Sequence, residues 1–297
     1  MRPLQNLPIL AAFGAAAFWT ISNIVSKKAS VDMGSVAAAA IVVPLGIIPM
    51  IIGATLVGSW TIPLSSAVLA SISGIFLAVG FILIYRSLQT EQLTNTVVLN
   101  EMTPAILVLF GLFALGEHVN MIQALSMVAI FAGAFFMISV GGFRINRRLI
   151  PATFAVLSWS IYWIILTYAV TGAGGAFALP VIVSRAAGAG VALAYLAIKR
   201  KEMRSYIGRK FGATAGSGKY MIVFLLALAA MVDASGDFLF SYVTGTNALA
   251  IGSALTALTP MAAAFIGGLL IYKDKLTDSQ LVGFVIMVAG ALVLSLA

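Results

Sequence analysis

Four ionisable side chains lie deep within apolar runs of this sequence. Three are acidic, Glu101, Asp233 and Asp237, and the fourth is Arg185. Asp233 and Asp237 are four residues apart, which places them on one face of a helix. A charged side chain at the centre of a bilayer costs about 2.5–3.5 kcal/mol on insertion scales, so it normally faces a cavity or an opposite charge. The pattern predicts either a polar pathway for a solute or a buried ion pair, for instance between Arg185 and Asp233.

If these charges line a pathway, each has a role in binding. The carboxylates would bind a cationic group or carry protons, and Arg185 would bind a carboxylate or a phosphate. Burial favours the neutral form of a carboxyl group, which suits proton exchange. We therefore take all four charges as solute-binding candidates, and Glu101 and Asp237 also as proton-coupling candidates.

Aromatic and polar residues recur three and four positions apart in two of the apolar runs. They are Trp19, Ser22, Asn23 and Ser26 in one run and Trp159, Tyr162 and Trp163 in the other. An indole N–H or a phenol O–H in the middle of a membrane needs a hydrogen-bond partner, which a cavity supplies. We expect Trp19, Asn23, Trp159, Tyr162 and Trp163 to bind solute; the alternative is ordinary core packing.

A Thr-Pro element occurs twice, in Asn100-Glu101-Met102-Thr103-Pro104 and again in Thr256-Ala257-Leu258-Thr259-Pro260. Proline removes a backbone hydrogen bond and kinks a helix. Pro104 and Pro260 are thus hinge candidates, although a static kink would leave the same pattern. The two copies differ at Asn100 and Glu101, which indicates that these two residues belong to a specific site.

Composition identifies the class of protein. Of 297 residues, 62% are hydrophobic and 9% are charged, whereas soluble domains carry roughly 25% charged residues. The chain is predicted to be an all-α polytopic membrane protein. Runs of about 20 apolar residues predict ten transmembrane helices, at 8–26, 35–58, 65–88, 94–115, 120–140, 150–171, 176–198, 219–243, 247–272 and 279–297.

The two halves of the chain correspond to each other. Gly80 precedes Pro104 by 24 residues, and Gly236 precedes Pro260 by the same 24. We predict two five-helix repeats, at 1–143 and 144–297. Because five is odd, the second repeat is inverted, which predicts a binding site between the halves near the midplane of the bilayer.

Basic residues predict the orientation. All of the 17 Lys and Arg except Arg2 and Arg185 fall in connections on one side of the predicted bundle. The positive-inside rule places that side in the cytoplasm and both termini outside. The net charge of +8 therefore reports topology, and nucleic acid is not an expected partner.

These features resemble the drug/metabolite transporter superfamily, in its ten-helix EamA-like branch. The residues that carry the resemblance are Thr103-Pro104, Leu115-Gly116-Glu117, Gln123 and Gly133, with Leu258-Thr259-Pro260, Gly267-Gly268, Gln280, Gly283 and Gly290 in the second half. The resemblance implies a secondary transporter whose central cavity is lined by helices 1–4 and 6–9. The chain departs from the family at Tyr272-Lys273, where Gly-Glu is expected, and many relatives keep both termini in the cytoplasm.

The expected function is transport of a small organic metabolite across the cytoplasmic membrane by alternating access. An amino acid or a related zwitterion or amine, exported, is the first expectation; proton-coupled efflux of cationic or amphipathic drugs is the second. An intramembrane enzyme or a channel comes third, since a single histidine and no cysteine leave no triad, no metal site and no cofactor site to expect. The expected partners are the solute, membrane lipid and protons; the sequence is compatible with a monomer and does not predict the oligomeric state.

Overall fold

The computed structural model describes residues 7–57, 60–100, 102–138, 150–200, 217–246, 248–273 and 277–296. Throughout these residues the chain forms helices joined by short turns, with no β-strand. The predicted all-α class is thereby confirmed. The helices are α1 (Leu7–Met33), α2 (Ser35–Leu45), α3 (Ile47–Val57), α4 (Leu64–Thr90), α5 (Leu93–Asn100), α6 (Met102–Phe113), α7 (Met121–Ile138), α8 (Ile150–Gly172), α9 (Ala178–Ile198), α10 (Ser217–Thr244), α11 (Leu249–Thr256), α12 (Leu258–Ala262), a π-helix (Ala263–Tyr272) and α13 (Asp278–Leu296).

Seven helical segments of the described chain are long and apolar enough to cross a membrane. They are Leu7–Met33, Ser35–Val57, Leu64–Thr90, Asn95–Phe113, Ile150–Gly172, Ala178–Ile198 and Tyr220–Thr244. Each coincides with one of the predicted spans, so the chain is a multi-pass membrane protein. The other three predicted spans correspond to α7, to α13 and to the broken stretch from α11 through the π-helix. The count of ten spans and their inverted arrangement stay predictions.

Proline explains where helices break. α2 ends at Leu45 and α11 ends at Thr256, and one turn residue separates each from the next helix. Both ends lie four residues before a proline, namely Pro49 and Pro260. A proline cannot donate to the carbonyl four residues earlier, and its ring clashes with that carbonyl. The second Thr-Pro element is therefore in the first turn of a new helix, where proline is tolerated; at the first element Glu101 lies outside the described residues. The hinge role of Pro104 and Pro260 stays a prediction, and the side chain of Pro260 lies outside what the structure describes.

Helices of the first half pack mainly against helices of the second. α1 lies along α10, α4 lies along α8 and α9, α7 lies along α13, and α6 meets α11. Small residues allow the closest approaches: a Cβ added at Gly74 would overlap the Ser184 carbonyl oxygen, and one added at Gly188 would lie 2.8 Å from the Gly74 carbonyl oxygen. This close packing brings polar groups from distant parts of the chain into one interior site.

Candidate solute-binding cavity

A buried cluster of three charges lies where α9 meets α10. Arg185 projects from α9, and its Nη1 donates to Asp237 Oδ2 at 2.8 Å while its Nη2 donates to Asp233 Oδ2 at 2.9 Å. The two aspartates are one helical turn apart on α10, so one guanidinium reaches both. Arg185 is fully buried, and the two aspartates are 7% and 5% exposed. The predicted ion pair between Arg185 and Asp233 is present, and it extends to Asp237.

The remaining donors of Arg185 bind the end of α2. Nε donates to the Val43 carbonyl at 3.2 Å, and Nη2 also lies 3.4 Å from the Val42 carbonyl. The guanidinium carbon lies 5.4 Å from the centre of the Phe81 ring. A Cβ at Gly46 would overlap this guanidinium, so only glycine leaves room for it there. Every nitrogen of Arg185 is therefore engaged with protein.

Helix α1 supplies partners for the outer oxygens of the two aspartates. Trp19 Nε1 donates to Asp237 Oδ1 at 3.0 Å, and Ser22 Oγ donates to Asp233 Oδ1 at a longer 3.4 Å. Trp19 and Ser22 are three residues apart and so face the same side of α1, as the sequence predicted. The cluster thus ties α1, α2, α9 and α10 together through charge-assisted hydrogen bonds, which are stronger than neutral ones.

Aromatic rings pack against one another beside the aspartates. Trp163 packs against Trp19, Tyr162 and Phe240, with ring centres 5.9, 4.6 and 4.8 Å apart respectively. Trp159 packs edge-to-face on Phe81 at 5.6 Å. These tilted and edge-to-face arrangements are the favourable ones for aromatic pairs, so the rings form a fixed wall.

A cavity lies between this wall and the segments that contain the two Thr-Pro elements. Its lining consists of Trp19, Asn23, Leu77, Phe81, Asn100, Thr103, Pro104, Leu107, Trp159, Tyr162, Trp163, Asp233, Asp237, Phe240, Thr256 and Thr259. The cavity volume open to the centres of water molecules is about 70 Å³, which is room for several waters or a small organic molecule. Both halves of the chain contribute to the lining.

Four lining residues have a buried polar atom without a hydrogen-bond partner in the described part of the chain. The atoms are Asn100 Oδ1, Thr103 Oγ1, Trp159 Nε1 and Tyr162 OH. Leaving such an atom unpaired costs about 1–3 kcal/mol, so native proteins rarely leave several together. Their concentration around one cavity indicates a site prepared to bind a polar ligand.

Most of the predicted site residues meet at this cavity. Trp19, Asn23, Asn100, Trp159, Tyr162, Trp163, Asp233 and Asp237 all line it. Arg185 is not part of the lining, because it lies behind the aspartates and is engaged with them. Glu101 lies outside the described residues.

The sequence argument missed the apolar lining residues, Leu77 and Phe81 among them. The predicted repeat contained a signal for both. Leu77 precedes Gly80 by the same three residues as Asp233 precedes Gly236. Phe81 directly follows Gly80, as Asp237 follows Gly236. Residues at equivalent positions of two related halves lie around the same axis, so the aspartates could have identified them. No group of metal-ligating side chains that could hold an ion occurs in the described residues.

Comparison with known proteins agrees with this architecture. Residues 6–139 match the EamA-like transporter family. The resemblance predicted from the sequence is thereby confirmed over the first half of the chain. This EamA-like segment contains Trp19, Asn23, Asn100 and Pro104 of the cavity lining.

One solved structure shares the fold over nearly the whole length of the chain. Titled only "Crystal structure of protein", it superposes with a TM-score of 0.68 at 15% sequence identity, covering 97% of this chain and 96% of the other. At that identity the match shows the fold alone, including the half that follows the EamA-like segment. No curated protein sequence matches the chain.

Proposed function

We propose that the protein is a secondary transporter that moves a small organic solute across the cytoplasmic membrane by alternating access around this cavity. The observation that carries the proposal is the cavity itself: an interior site lined from both halves, beside the helix break between α11 and α12, with a charge cluster and four unpartnered polar atoms. Discontinuous helices around a midplane site are typical of secondary transporters.

The inverted repeat is part of the proposal, and reciprocal contacts support it. A Cβ at Gly236 would lie 2.7 Å from Trp19 Nε1, and a Cβ at Gly80 would overlap Trp159 Nε1. The tryptophan of each half thus packs on the glycine of the other half, as a two-fold axis between repeats 1–143 and 144–297 requires. Such an axis allows the two halves to rock about a fixed site.

An alternating-access transporter passes through an occluded state, in which both ends of the bundle are closed. Contacts at the two ends of this bundle support such a state. At one end Lys27 Nζ donates to the carbonyls of Leu88 and Glu91, and Tyr272 OH donates to the Ile24 carbonyl at 2.8 Å. At the other end Glu117 accepts two backbone hydrogen bonds from the first turn of α11, at 2.9 and 2.7 Å. Alternating access would break one of these sets of contacts at a time.

Proton coupling is proposed through Glu101 and Asp237. Asp237 lines the cavity and belongs to a cluster with two carboxylates and one guanidinium, so a proton there would balance the charge. Glu101 follows Asn100, which also lines the cavity. If Glu101→Gln and Asp237→Asn both leave transport and its pH dependence unchanged, protons are not the coupling ion at these residues.

For the solute, we propose an exported amino acid or a related zwitterion or amine. Efflux of cationic or amphipathic compounds coupled to protons is the second candidate, and the net negative charge of the Asp233–Arg185–Asp237 cluster favours it. An enzyme or a channel remains a distant third proposal. The orientation with both termini outside also stays a proposal, based on the basic connections.

The test is flux into liposomes that contain the purified protein. A panel of labelled amino acids, amines and cationic dyes should include at least one solute that crosses faster than in liposomes made with Asp237→Asn/Trp163→Ala protein. If no solute in the panel moves faster than in empty liposomes, with or without a pH gradient, the transporter proposal fails.

A further inference from the structure

The charges around the cavity do not balance. Among the described residues, the ionised forms of Asp233 and Asp237 contribute two negative charges and Arg185 one positive charge, giving a net charge of −1 when no proton is bound. All three side chains are buried, where a net charge is poorly screened. A ligand that brings one positive charge restores neutrality. Arg185 cannot bind an anionic ligand group as well, because its nitrogens already bind the aspartates and the carbonyls of Val42 and Val43.

The unpartnered atoms of the cavity are mostly hydrogen-bond donors. The Trp159 indole has only an N–H to offer, and the hydroxyls of Tyr162 and Thr103 each carry an O–H. Tyr162 is 1% exposed and Thr103 is 6% exposed, so bulk water does not reach them. The ligand should therefore present acceptors. A neutral acceptor such as a carbonyl meets this need, whereas a carboxylate would bring back the negative charge that the cation has balanced.

The cavity lining combines charged and apolar side chains. Asp233 and Asp237 supply the charge, and their counterparts in the predicted repeat, Leu77 and Phe81, are apolar. Phe240 adds a further apolar surface. A ligand that fits this lining has a charged end and an apolar body.

We infer that the cavity binds a monocationic solute that carries neutral hydrogen-bond acceptors and an apolar body, in preference to a zwitterion. An amine bearing an amide, ester or hydroxyl group has this chemistry. The inference rests on the transport function proposed above and, among the solutes proposed there, selects the amines and cationic compounds over the amino acids. In the bound state the ammonium group faces Asp233 and Asp237, and the acceptor receives hydrogen bonds from Trp159, Tyr162 and Thr103.

Four probes that share an isobutyl group separate the contributions. Leucinamide has the positive charge and the carbonyl, leucine adds a negative charge, 3-methylbutan-1-amine lacks the acceptor, and 4-methylpentanamide lacks the charge. Binding is measured by calorimetry with the full-length protein in lipid nanodiscs at about pH 6.5, where α-amino groups are mainly protonated. Leucinamide should bind roughly tenfold or more tightly than leucine. It should also bind several-fold more tightly than either probe that lacks one of the two features.

Variants test which side chains donate hydrogen bonds to the ligand. Tyr162→Phe and Trp159→Phe keep an aromatic ring and remove the donor, so each should reduce the advantage of leucinamide over 3-methylbutan-1-amine by a few-fold. Tyr168→Phe and Trp60→Phe make the same substitutions at exposed positions and should leave the ratio as in the wild type. Asp237→Asn makes the cluster neutral while keeping hydrogen-bond acceptors, so the preference for leucinamide over leucine should shrink.

The outcomes separate this inference from the transport function. Leucine binding as tightly as leucinamide overturns it, as does an unchanged leucinamide-to-amine ratio in both donor variants. A lack of binding by all four probes overturns it for solutes of this size. In each case, transport of some other solute in the liposome panel would still support the proposal that the protein is a transporter. Absence of all flux would refute that proposal.

Discussion

Replacing Arg185 tests whether the charge cluster holds the bundle together. Arg185→Met removes the cation between Asp233 and Asp237 and leaves two buried carboxylates facing each other. The change deletes two ion-paired hydrogen bonds of 2.8 and 2.9 Å and the bonds to the carbonyls at the end of α2. Removing one partner of a buried ion pair typically costs about 3–5 kcal/mol. We expect a loss of this size in the free energy of unfolding.

Arg185→Lys separates charge from geometry. A lysine keeps the positive charge but has a single nitrogen, which cannot reach both aspartates and the carbonyls of Val42 and Val43 at once. We expect a smaller loss, about 1–3 kcal/mol. The triple variant Arg185→Met/Asp233→Asn/Asp237→Asn removes all three charges and should recover much of the loss caused by Arg185→Met alone.

The assay is reversible unfolding in mixed detergent–SDS micelles, followed by circular dichroism. Arg86→Met is the matched control, because Arg86 is exposed on α4 and its loss should change the free energy of unfolding by no more than about 0.5 kcal/mol. Equal stability of Arg185→Met and Arg86→Met would refute the structural role of the cluster. A triple variant as unstable as Arg185→Met would show that lost packing, rather than unbalanced charge, causes the effect.

Three further predictions concern other parts of the bundle. Glu117→Gln should lower the free energy of unfolding by about 1 kcal/mol, measured in the same micelles. The substitution removes one hydrogen bond to the first turn of α11, at Leu249, and the favourable interaction with the helix dipole. No change would mean that this contact is absent in the detergent-solubilised protein. Gly80→Ala should cost about 1–3 kcal/mol, since the new methyl group overlaps the Trp159 indole, and a stabilising effect would contradict the predicted close contact. A cysteine at Ala297 should react with an impermeant maleimide added to intact cells; labelling only after lysis would overturn the orientation with both termini outside.

The sequence was informative wherever a property is local. Runs of apolar residues long enough to span a bilayer predicted the class and the long helices, because a membrane imposes both length and composition. Kinks at the Thr-Pro elements were predicted because proline acts on the carbonyl four residues before it. At the second element the structure has a break, since α11 ends at Thr256 and α12 begins at Leu258.

Most of the candidate site was also predictable, for a different reason. Polar and aromatic residues in the interior of a membrane protein have few places to face, so Trp19, Tyr162 and Asp237 could be assigned to a cavity from their depth and spacing alone. The same reasoning could not distinguish a residue that lines the cavity from one that supports it. Arg185 was expected to bind solute, and the structure instead places it behind the aspartates.

The sequence by itself determined that this chain is a helical membrane protein and which buried groups need partners. Only the tertiary structure decided which partners they have. Arg185 meets Asp233 and Asp237 across 48 and 52 residues, and Trp19 meets Asp237 across 218. Such pairings depend on how close two helices approach, and small residues such as Gly46 and Gly236 permit that approach only in the packed bundle. Helical spacing specifies the face on which a side chain lies, and packing specifies what it meets there.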